Sequence, residues 1–286
     1  MLWEELREEE FESAIEISGK VCVVPIGCLE MHGQHLPVGT DTKTCHYIAK
    51  MAAEIEPVCV FPGLYFGDVL GLYMWRGTIA FSTELLLKML SELCSEIARN
   101  GFKKILLLNG HGGNVALLQN FLRSTAKEKK EYVVMVRNDY QFFYRDIIRE
   151  IDSGKHFPEL TSDDVKFLRE VISKNATSGH ADITESSIMC EIDPENVRLD
   201  RCDALSGVSR RETSYLSNKG INIKGPTMFW LTDFPNSYSG EYVEGSNARI
   251  GKAILRRRIE MQAEAVRLLK QDDRVLQWND EHNNKW

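Results

Sequence analysis

The sequence predicts a three-layer α/β/α sandwich with a mainly parallel sheet, and three observations lead to this fold class. Short apolar, β-branched runs alternate with long amphipathic segments along the chain. The runs are apolar at consecutive positions, which is typical of parallel strands covered by helices on both faces. The segments between them are long enough for the crossover helices that parallel strands require.

The individual elements follow in order. The predicted strands are 21–27, 57–63, 103–110 and 131–138. The predicted helices are 41–56, 82–100, 114–130, 181–192 and 247–271. Ser82 is an N-cap residue for the helix that it begins, and Asn100-Gly101 provides a left-handed stop. We also expect an acidic amphipathic helix over 1–14 and a frayed tail over 278–286.

Two segments interrupt this alternation. Residues 139–178 predict a helical excursion of two helices, with Thr161 or Ser162 capping the second, and such a stretch commonly becomes a lid or a subunit contact. Residues 206–246 are rich in Gly, Ser, Asn and Pro and predict mostly loop. No internal repeat is present, so we expect one domain over 1–286.

Composition narrows the class of protein. The chain has 286 residues, 43% apolar and 27% charged, with a net charge of -7, which argues against nucleic acid as the main partner. No uncharged apolar run approaches the ~20 residues that cross a bilayer, and the acidic N-terminus does not resemble a signal peptide. Seven cysteines without a C-x-x-C pair predict buried free thiols in a reducing cytoplasm. We therefore expect a cytoplasmic protein.

The richest motif is PIGCLEMHGQHLPVGTDT, residues 25–42. It follows a buried strand and so begins at the strand's carboxyl end, where open α/β sheets place their ligands. Glu30 and His32 project from the same side of extended backbone. Asp41 precedes a helix, where it either caps that helix or bridges two ions. Acidic and imidazole groups this close together would repel or desolvate one another without a cation.

Two further motifs follow strands or begin helices. NGHGGN, residues 109–114, is either an anion-binding turn or the source of another metal ligand, His111, and it lacks the Lys-Ser/Thr ending of a P-loop. SGHADITESS, residues 178–187, supplies His180 and Glu185. One such histidine is commonly a helix-start residue, but three loops of this kind indicate a shared site.

These three motifs, carried by Glu30–Asp41, Asn109–Asn114 and Gly179–Ser187, resemble the creatininase (creatinine amidohydrolase) family. Weaker matches at 77–79 and 245–255 extend the resemblance along nearly the whole chain. It implies a three-layer fold and two divalent ions, zinc or manganese, with iron as a further option. It also implies a homo-oligomer, commonly a hexamer.

The resemblance also assigns residues. Glu30, Asp41 and His111 would hold one ion, whereas His32 and Asp41 would hold the other with one more carboxylate. Creatininase has that carboxylate in the N-G-H turn, where this chain has Gly113, so Glu185 is the predicted substitute. His180 matches the general acid/base.

The substrate transfers less directly. Asp182 replaces a glycine of the family, and Leu72, Trp75 and Arg76 stand where the family has a His and a Phe-Pro. Tyr73, Trp75 and Arg76 are the predicted substrate contacts, although Trp75 is equally well interpreted as a core aromatic.

The expected function is a metal-dependent hydrolase that opens a small cyclic amide through a metal-activated water. Alternatives with the same metal site are a C–C ring-opening hydrolase of a cyclic keto-inositol (3-dehydro-scyllo-inosose type) and a formamide deformylase. From other classes, the alternatives are a binding protein without catalysis and a cysteine hydrolase that uses Cys28.

Overall fold

A computed structural model describes residues 1–216, 223, 225 and 228–285. These residues form a four-stranded sheet in the order β2-β1-β3-β4, in which every neighbouring pair is parallel. The strands are β1 (Val21–Ile26), β2 (Cys59–Val60), β3 (Lys104–Asn109) and β4 (Val133–Asn138). The predicted strand over 57–63 is shorter than expected because Pro62 has no amide to donate to the ladder.

Helices connect and cover the strands. They are α1 (Phe11–Ile17), α2 (Thr40–Ile55), α3 (Thr83–Arg99), α4 (Asn114–Thr125), α5 (Tyr144–Asp152), α6 (Ser162–Ser173), α7 (Ile183–Ile192), α8 (Met228–Asp233), α9 (Ala248–Gln271) and α10 (Arg274–Asn283). The Ser82 side chain accepts a hydrogen bond from the amide of Leu85, which confirms the predicted cap of α3. Gly101 follows that helix with φ +107°, as expected for a left-handed stop.

The prediction of one helix over 1–14 is wrong. Short 3-10 turns at Trp3–Glu5 and Glu8–Glu10 precede α1. The reason is that the first residues lie along β2: the Met1 ammonium donates to the Val58 carbonyl, and the Val60 amide donates to the Met1 carbonyl. Backbone paired in this way is extended and cannot be helical.

The strands separate two hydrophobic clusters. In β1, Val21 and Val23 face a cluster that includes Ile48 of α2 and Ile254 of α9. The alternate residues of the same strand face a second cluster built with α3 and α4. This alternation of side chains across a buried strand confirms the three-layer α/β/α fold.

The excursion over 139–178 contains α5 and α6, as predicted. Ile147, Leu168 and Val171 of this segment are buried in the same cluster as α2 and α9. The segment is therefore a packed part of the helical layer rather than a detached lid. Thr161 caps α6, because its hydroxyl accepts a hydrogen bond from the Asp164 amide.

Asp164 joins the start of α6 to the start of α9. Its buried carboxylate accepts hydrogen bonds from the Thr161 amide (2.9 Å), from Nε and Nη2 of Arg249 (both 2.8 Å) and from Asn247 Nδ2 (3.0 Å). Arg249 is the main reason why the pKa of this carboxyl lies well below its ordinary value. The folded state therefore prefers the charged form of Asp164.

We expect Asp164→Asn to lower the free energy of unfolding by about 1–3 kcal/mol at pH 7. Because the folded pKa is depressed, the stabilisation is complete above the unfolded pKa and is lost as pH falls below about 4. Urea unfolding at pH 7 and at lower pH measures the difference, with Asp163→Asn, an exposed neighbour, as the control. Equal stabilities of wild type and Asp164→Asn at pH 7 would contradict this expectation.

All seven cysteines lie in the described part of the chain and are free thiols; six are buried and Cys190 is partly exposed. Six of the seven are therefore buried thiols, as predicted, and Cys190 departs from that prediction. Within the described ranges, no helix combines the length and the apolarity needed to span a membrane.

Candidate metal centre

The predicted metal-binding residues meet at the carboxyl ends of β1 and β3. Glu30 and His32 lie in the loop after β1, and His111 lies in the turn after β3. The first turns of α2 and α7 add Asp41 and Glu185. Together with His180, all of these side chains except His32 form the polar floor of a cavity of about 490 Å³. His32 does not line the cavity but contacts Asp41, which does.

Asp41 is shared between two groups of donors. Its Oδ2 lies 2.8 Å from Nδ1 of His111, which is also 3.1 Å from Oε1 of Glu30. Its Oδ1 lies 3.1 Å from Nε2 of His32, which is also 3.6 Å from Oε2 of Glu185. The two oxygens of one carboxylate thus face two separate donor sets, which is the geometry of a bridging ligand.

Three imidazoles are oriented by backbone carbonyls. His32 donates from Nδ1 to the Glu30 carbonyl (3.1 Å), His111 from Nε2 to Asp68 (3.0 Å) and His180 from Nε2 to Met31 (2.8 Å). A carbonyl only accepts, so each ring turns its other nitrogen toward the carboxylates, and that nitrogen has a lone pair for a metal once it is deprotonated. This arrangement is typical of histidines that bind metals.

One buried carboxylate oxygen of the cluster has no donor among the described residues to satisfy it. Oε1 of Glu30 is buried and has no hydrogen-bond partner in the described part of the chain. Burial opposes the charged form of His32, but Asp41 outweighs it and raises the His32 pKa to about 10. Burial raises the pKa of Glu185 to about 8. Carboxylates and imidazoles are ligands of Zn²⁺ and Mn²⁺, so the donor set fits a pair of divalent cations.

Asp41 does not cap α2, so that alternative is wrong. It is the second residue of the helix, and Gly39 occupies the N-cap position without a side-chain hydrogen bond. Being in the first turn, its carboxylate is stabilised by the positive end of the helix and is free to face the cluster. Asp182, by contrast, is a true cap of α7: it accepts hydrogen bonds from the amides of Thr184 and Glu185.

Asparagines of the NGHGGN turn position this centre, a role that the sequence motif did not indicate. Oδ1 of Asn114 accepts from the Asp68 amide (2.8 Å), and its Nδ2 donates to the Gly27 carbonyl (3.3 Å) and to Asn109 (3.2 Å). The loops after β1, β2 and β3 are thereby tied together. A side chain at Gly113 would collide with the Asp68 carbonyl and the His111 ring, which explains why no carboxylate stands there.

His35, the second histidine of the first motif, also has a positioning role that the sequence did not indicate. It is buried, and its Nε2 lies 3.0 Å from the Ala181 carbonyl and 3.1 Å from Ser186 Oγ. It therefore fixes the loop that carries His180. Burial lowers its pKa to about 4, so the ring is neutral.

The cavity wall is aromatic and apolar. Its aromatic residues are Tyr140, Phe143, Trp230 and Phe234. The Trp230 ring meets the His180 ring edge-on at 5.8 Å. Among the described residues that line the cavity there is no lysine and no arginine, whereas Asp68 adds a further acidic residue.

Tyr73, Trp75 and Arg76, the predicted substrate contacts, are not among the described residues that line this cavity. The chain turns outward after Leu72, since the Trp75 amide donates to the Leu72 carbonyl, and Tyr73 is 70% exposed. Trp230 supplies the aromatic side chain instead. Its segment, predicted as mostly loop, contains the short helix α8. Trp230 and Phe234 are four residues apart in the sequence FWLTDF, and this helical spacing of two aromatic residues is the signal that could have indicated the wall.

A parallel α/β/α sheet with an acid–imidazole cluster at its carboxyl edge is the architecture of a metal-dependent hydrolase. The family model "Creatininase: Creatinine amidohydrolase" matches residues 4–266. The chain belongs to the creatininase family, whose members are hydrolases that act on C–N bonds.

Curated relatives have different activities. Creatinine amidohydrolase of Pseudomonas putida is 26% identical over 209 residues, which are 69% of this chain and 74% of that protein. A mycofactocin precursor peptide peptidase of Mycobacterium tuberculosis is 33% identical over 34% of this chain and 42% of its own. A 2-amino-5-formylamino-6-ribosylaminopyrimidin-4(3H)-one 5'-monophosphate deformylase of Methanococcus maripaludis is 30% identical over 38% and 49%. The matches to the last two thus cover less than half of those proteins.

Solved structures of creatininases share the fold. A creatininase mutant complexed with creatine has a TM-score of 0.68 at 22% identity, over 95% of this chain and 99% of that one. A crystal structure of creatinine amidohydrolase gives 0.67 at 20% identity, over 93% and 96%. Further similar structures are a manganese creatininase and a creatininase mutant of Zn-Zn type.

Proposed function

We propose that this protein is a two-metal amidohydrolase that opens a small cyclic amide. The observation that carries the proposal is the Asp41 carboxylate, which is shared between two donor sets. Asp41 lies at the polar floor of a cavity whose wall is aromatic. Zinc or manganese suits the donors, and both are found in similar creatininase structures. Two such ions would act as Lewis acids toward the scissile carbonyl and the attacking water.

Each ion would have its own ligands in addition to Asp41. Glu30 and His111 would hold the first ion, and His32 and Glu185 the second. Glu185 is suited to this role because its Oε2 lies near His32 and accepts a hydrogen bond from the Ala181 amide, which restrains the carboxylate. It would replace the carboxylate that Gly113 cannot provide.

We expect Glu185→Gln to reduce the bound ions from two to about one per chain, since an amide is a much weaker ligand than a carboxylate. Mass spectrometry of dialysed protein after loading with zinc gives the stoichiometry. Glu191→Gln, on the same helix but outside the cluster, is the matched control. Two retained ions in Glu185→Gln would place Glu185 outside the ligand set.

His180 would be the general acid/base. Its Nδ1 lies 3.6 Å from Oε1 of Glu30, at the cavity floor, while Nε2 is held by the Met31 carbonyl. Burial and the neighbouring His32 lower its pKa, so the ring is neutral and could accept at Nδ1 a proton from the attacking water. It would return that proton to the leaving nitrogen.

The cavity wall favours a flat, uncharged substrate. Tyr140, Phe143 and Trp230 line the cavity, where they would pack against a small ring and exclude water from it. Because no cationic side chain is found among its described lining residues, the cavity lacks a partner for a phosphate group. This favours a cyclic amide over the phosphorylated substrate in the name of the deformylase relative.

The competing activities can be compared in one assay. Purified protein, stripped with a chelator and reloaded with Zn²⁺ or Mn²⁺, is offered cyclic amides, a formamide, a cyclic ketone and a short peptide. We expect cyclic-amide hydrolysis that disappears on stripping and returns on reloading. Activity that resists chelation but is lost on thiol alkylation would instead support the cysteine hydrolase, although Cys28 is buried and does not line the cavity.

A further inference from the structure

Cys28 lies directly against the first donor set. It follows β1, its side chain is buried, and its Sγ is 3.1 Å from Oδ2 of Asp41. Ligand atoms of Cys28, Glu30, Asp41 and His111 all lie within 4.8 Å of one another. A sulfur atom is therefore present in one of the two donor sets, whereas the His32, Asp41 and Glu185 set has none.

We propose that Cys28 is the fourth ligand of the first ion and makes that position selective for zinc. The inference rests on the proposed function, in which ions bind this cluster. Thiolate, imidazole and two carboxylates would supply four ligands to a Zn²⁺ that can expand to a fifth, which leaves room for the attacking water. Sulfur is a soft ligand that favours Zn²⁺ over Mn²⁺, so the two positions differ in metal preference.

The orphaned Glu30 oxygen is independent support for an ion at this point. Oε1 of Glu30 is buried without a hydrogen-bond partner and faces the same space, 3.1 Å from Nδ1 of His111. A hydrogen-bonded thiol alone would leave this oxygen unsatisfied. A cation between the sulfur, the imidazole and the carboxylates satisfies all of them at once.

The backbone holds the sulfur in place. The Cys28 carbonyl accepts a hydrogen bond from Thr42 Oγ1 (3.3 Å). The preceding Gly27 packs so closely on α2 that a side chain there would collide with the Thr42 backbone. Cys28 is therefore clamped against the same helix that carries Asp41. Cys45, also on α2, is a useful contrast, because its Sγ donates to the Thr42 carbonyl and lies outside these donor sets.

Cobalt(II) spectroscopy of the full chain tests the inference without any assay of activity. Metal-free wild type titrated with Co²⁺ should give visible d–d bands together with a near-ultraviolet thiolate-to-cobalt charge-transfer band. Cys28→Ser should keep the d–d bands and lose the charge-transfer band, whereas Cys45→Ser should keep both. We also expect Cys28→Ser to weaken zinc binding by roughly tenfold or more, with a much smaller effect on manganese.

The outcomes separate this inference from the proposed function. Cobalt d–d bands without a charge-transfer band in wild type would show that metal binds and that Cys28 is not a ligand. Failure of cobalt, zinc and manganese to bind at all would overturn the proposed function as well. If Cys28→Ser does not fold, the ¹¹³Cd resonance of cadmium-loaded wild type decides: a thiolate-shifted signal supports the inference, and a signal typical of oxygen and nitrogen ligands alone overturns it.

Discussion

Asp41→Asn is expected to remove both ions and to lower kcat/KM by about 10³-fold or more, since the Lewis acidity of the ions is worth several kcal/mol of transition-state stabilisation. Asp41 reaches both donor sets, with Oδ1 3.1 Å from His32 Nε2 and Oδ2 2.8 Å from His111 Nδ1. No other carboxylate among the described residues is shared in this way. An asparagine keeps the shape of the side chain but has only one weak oxygen ligand. The readouts are metal content after dialysis and kcat/KM on the best cyclic amide.

Asp164→Asn is the matched control for this variant. It makes the same change at another buried aspartate, remote from the cluster, and should lose stability while retaining both ions. An Asp41→Asn protein that keeps two ions and near-normal turnover would show that Asp41 is not the bridging ligand. Loss of metal in both variants would indicate general unfolding instead.

His180→Gln is expected to lower kcat by ~10²–10⁴-fold, the usual contribution of a positioned general acid/base. Both ions should remain, and KM should change little, because the aromatic wall and the ligands are untouched. Steady-state kinetics combined with metal analysis separates these quantities. His46→Gln, a change at a half-buried histidine of α2 outside the cluster, should leave kcat unchanged.

Metal content also distinguishes two roles for His180. Ligand atoms of Glu30, His32 and His180 lie close enough together to form a third possible donor group. If His180 were a ligand, His180→Gln would lose an ion as well as activity. That result would contradict its assignment as a proton carrier held by Met31.

The fold and the polar floor of the site could be predicted from local sequence. Buried parallel strands leave a continuous apolar signature, as at 105–108 within β3, and the carboxyl ends of such strands share one edge of the sheet. Glu30 and His111 directly follow strands that are neighbours in the sheet. Their convergence therefore depends on the position of each motif after its strand, and not on the path of the chain between them.

The aromatic wall could not be predicted in the same way. Tyr140 and Phe143 come from the excursion, and Trp230 comes from a segment whose composition favours loop. Their meeting depends on how the turn before α5 and the helix α8 are brought together in the fold, which no periodicity within either segment records. The position of Met1 beside Val60 is similarly a tertiary contact that overrides the helical pattern of the first residues.

Some expectations remain predictions. The homo-oligomer, the cytoplasmic location and the single domain over 1–286 follow from resemblance and composition. Sedimentation of the metal-loaded protein would test the predicted hexamer.

Anomalous diffraction from crystals grown with zinc tests the shared-carboxylate centre most directly. We expect two peaks ~3.5–4 Å apart, one on either side of Asp41, with Glu30 and His111 at the first and His32 and Glu185 at the second. A single peak, or no anomalous density at Asp41, in crystals grown with excess zinc would contradict the two-metal assignment.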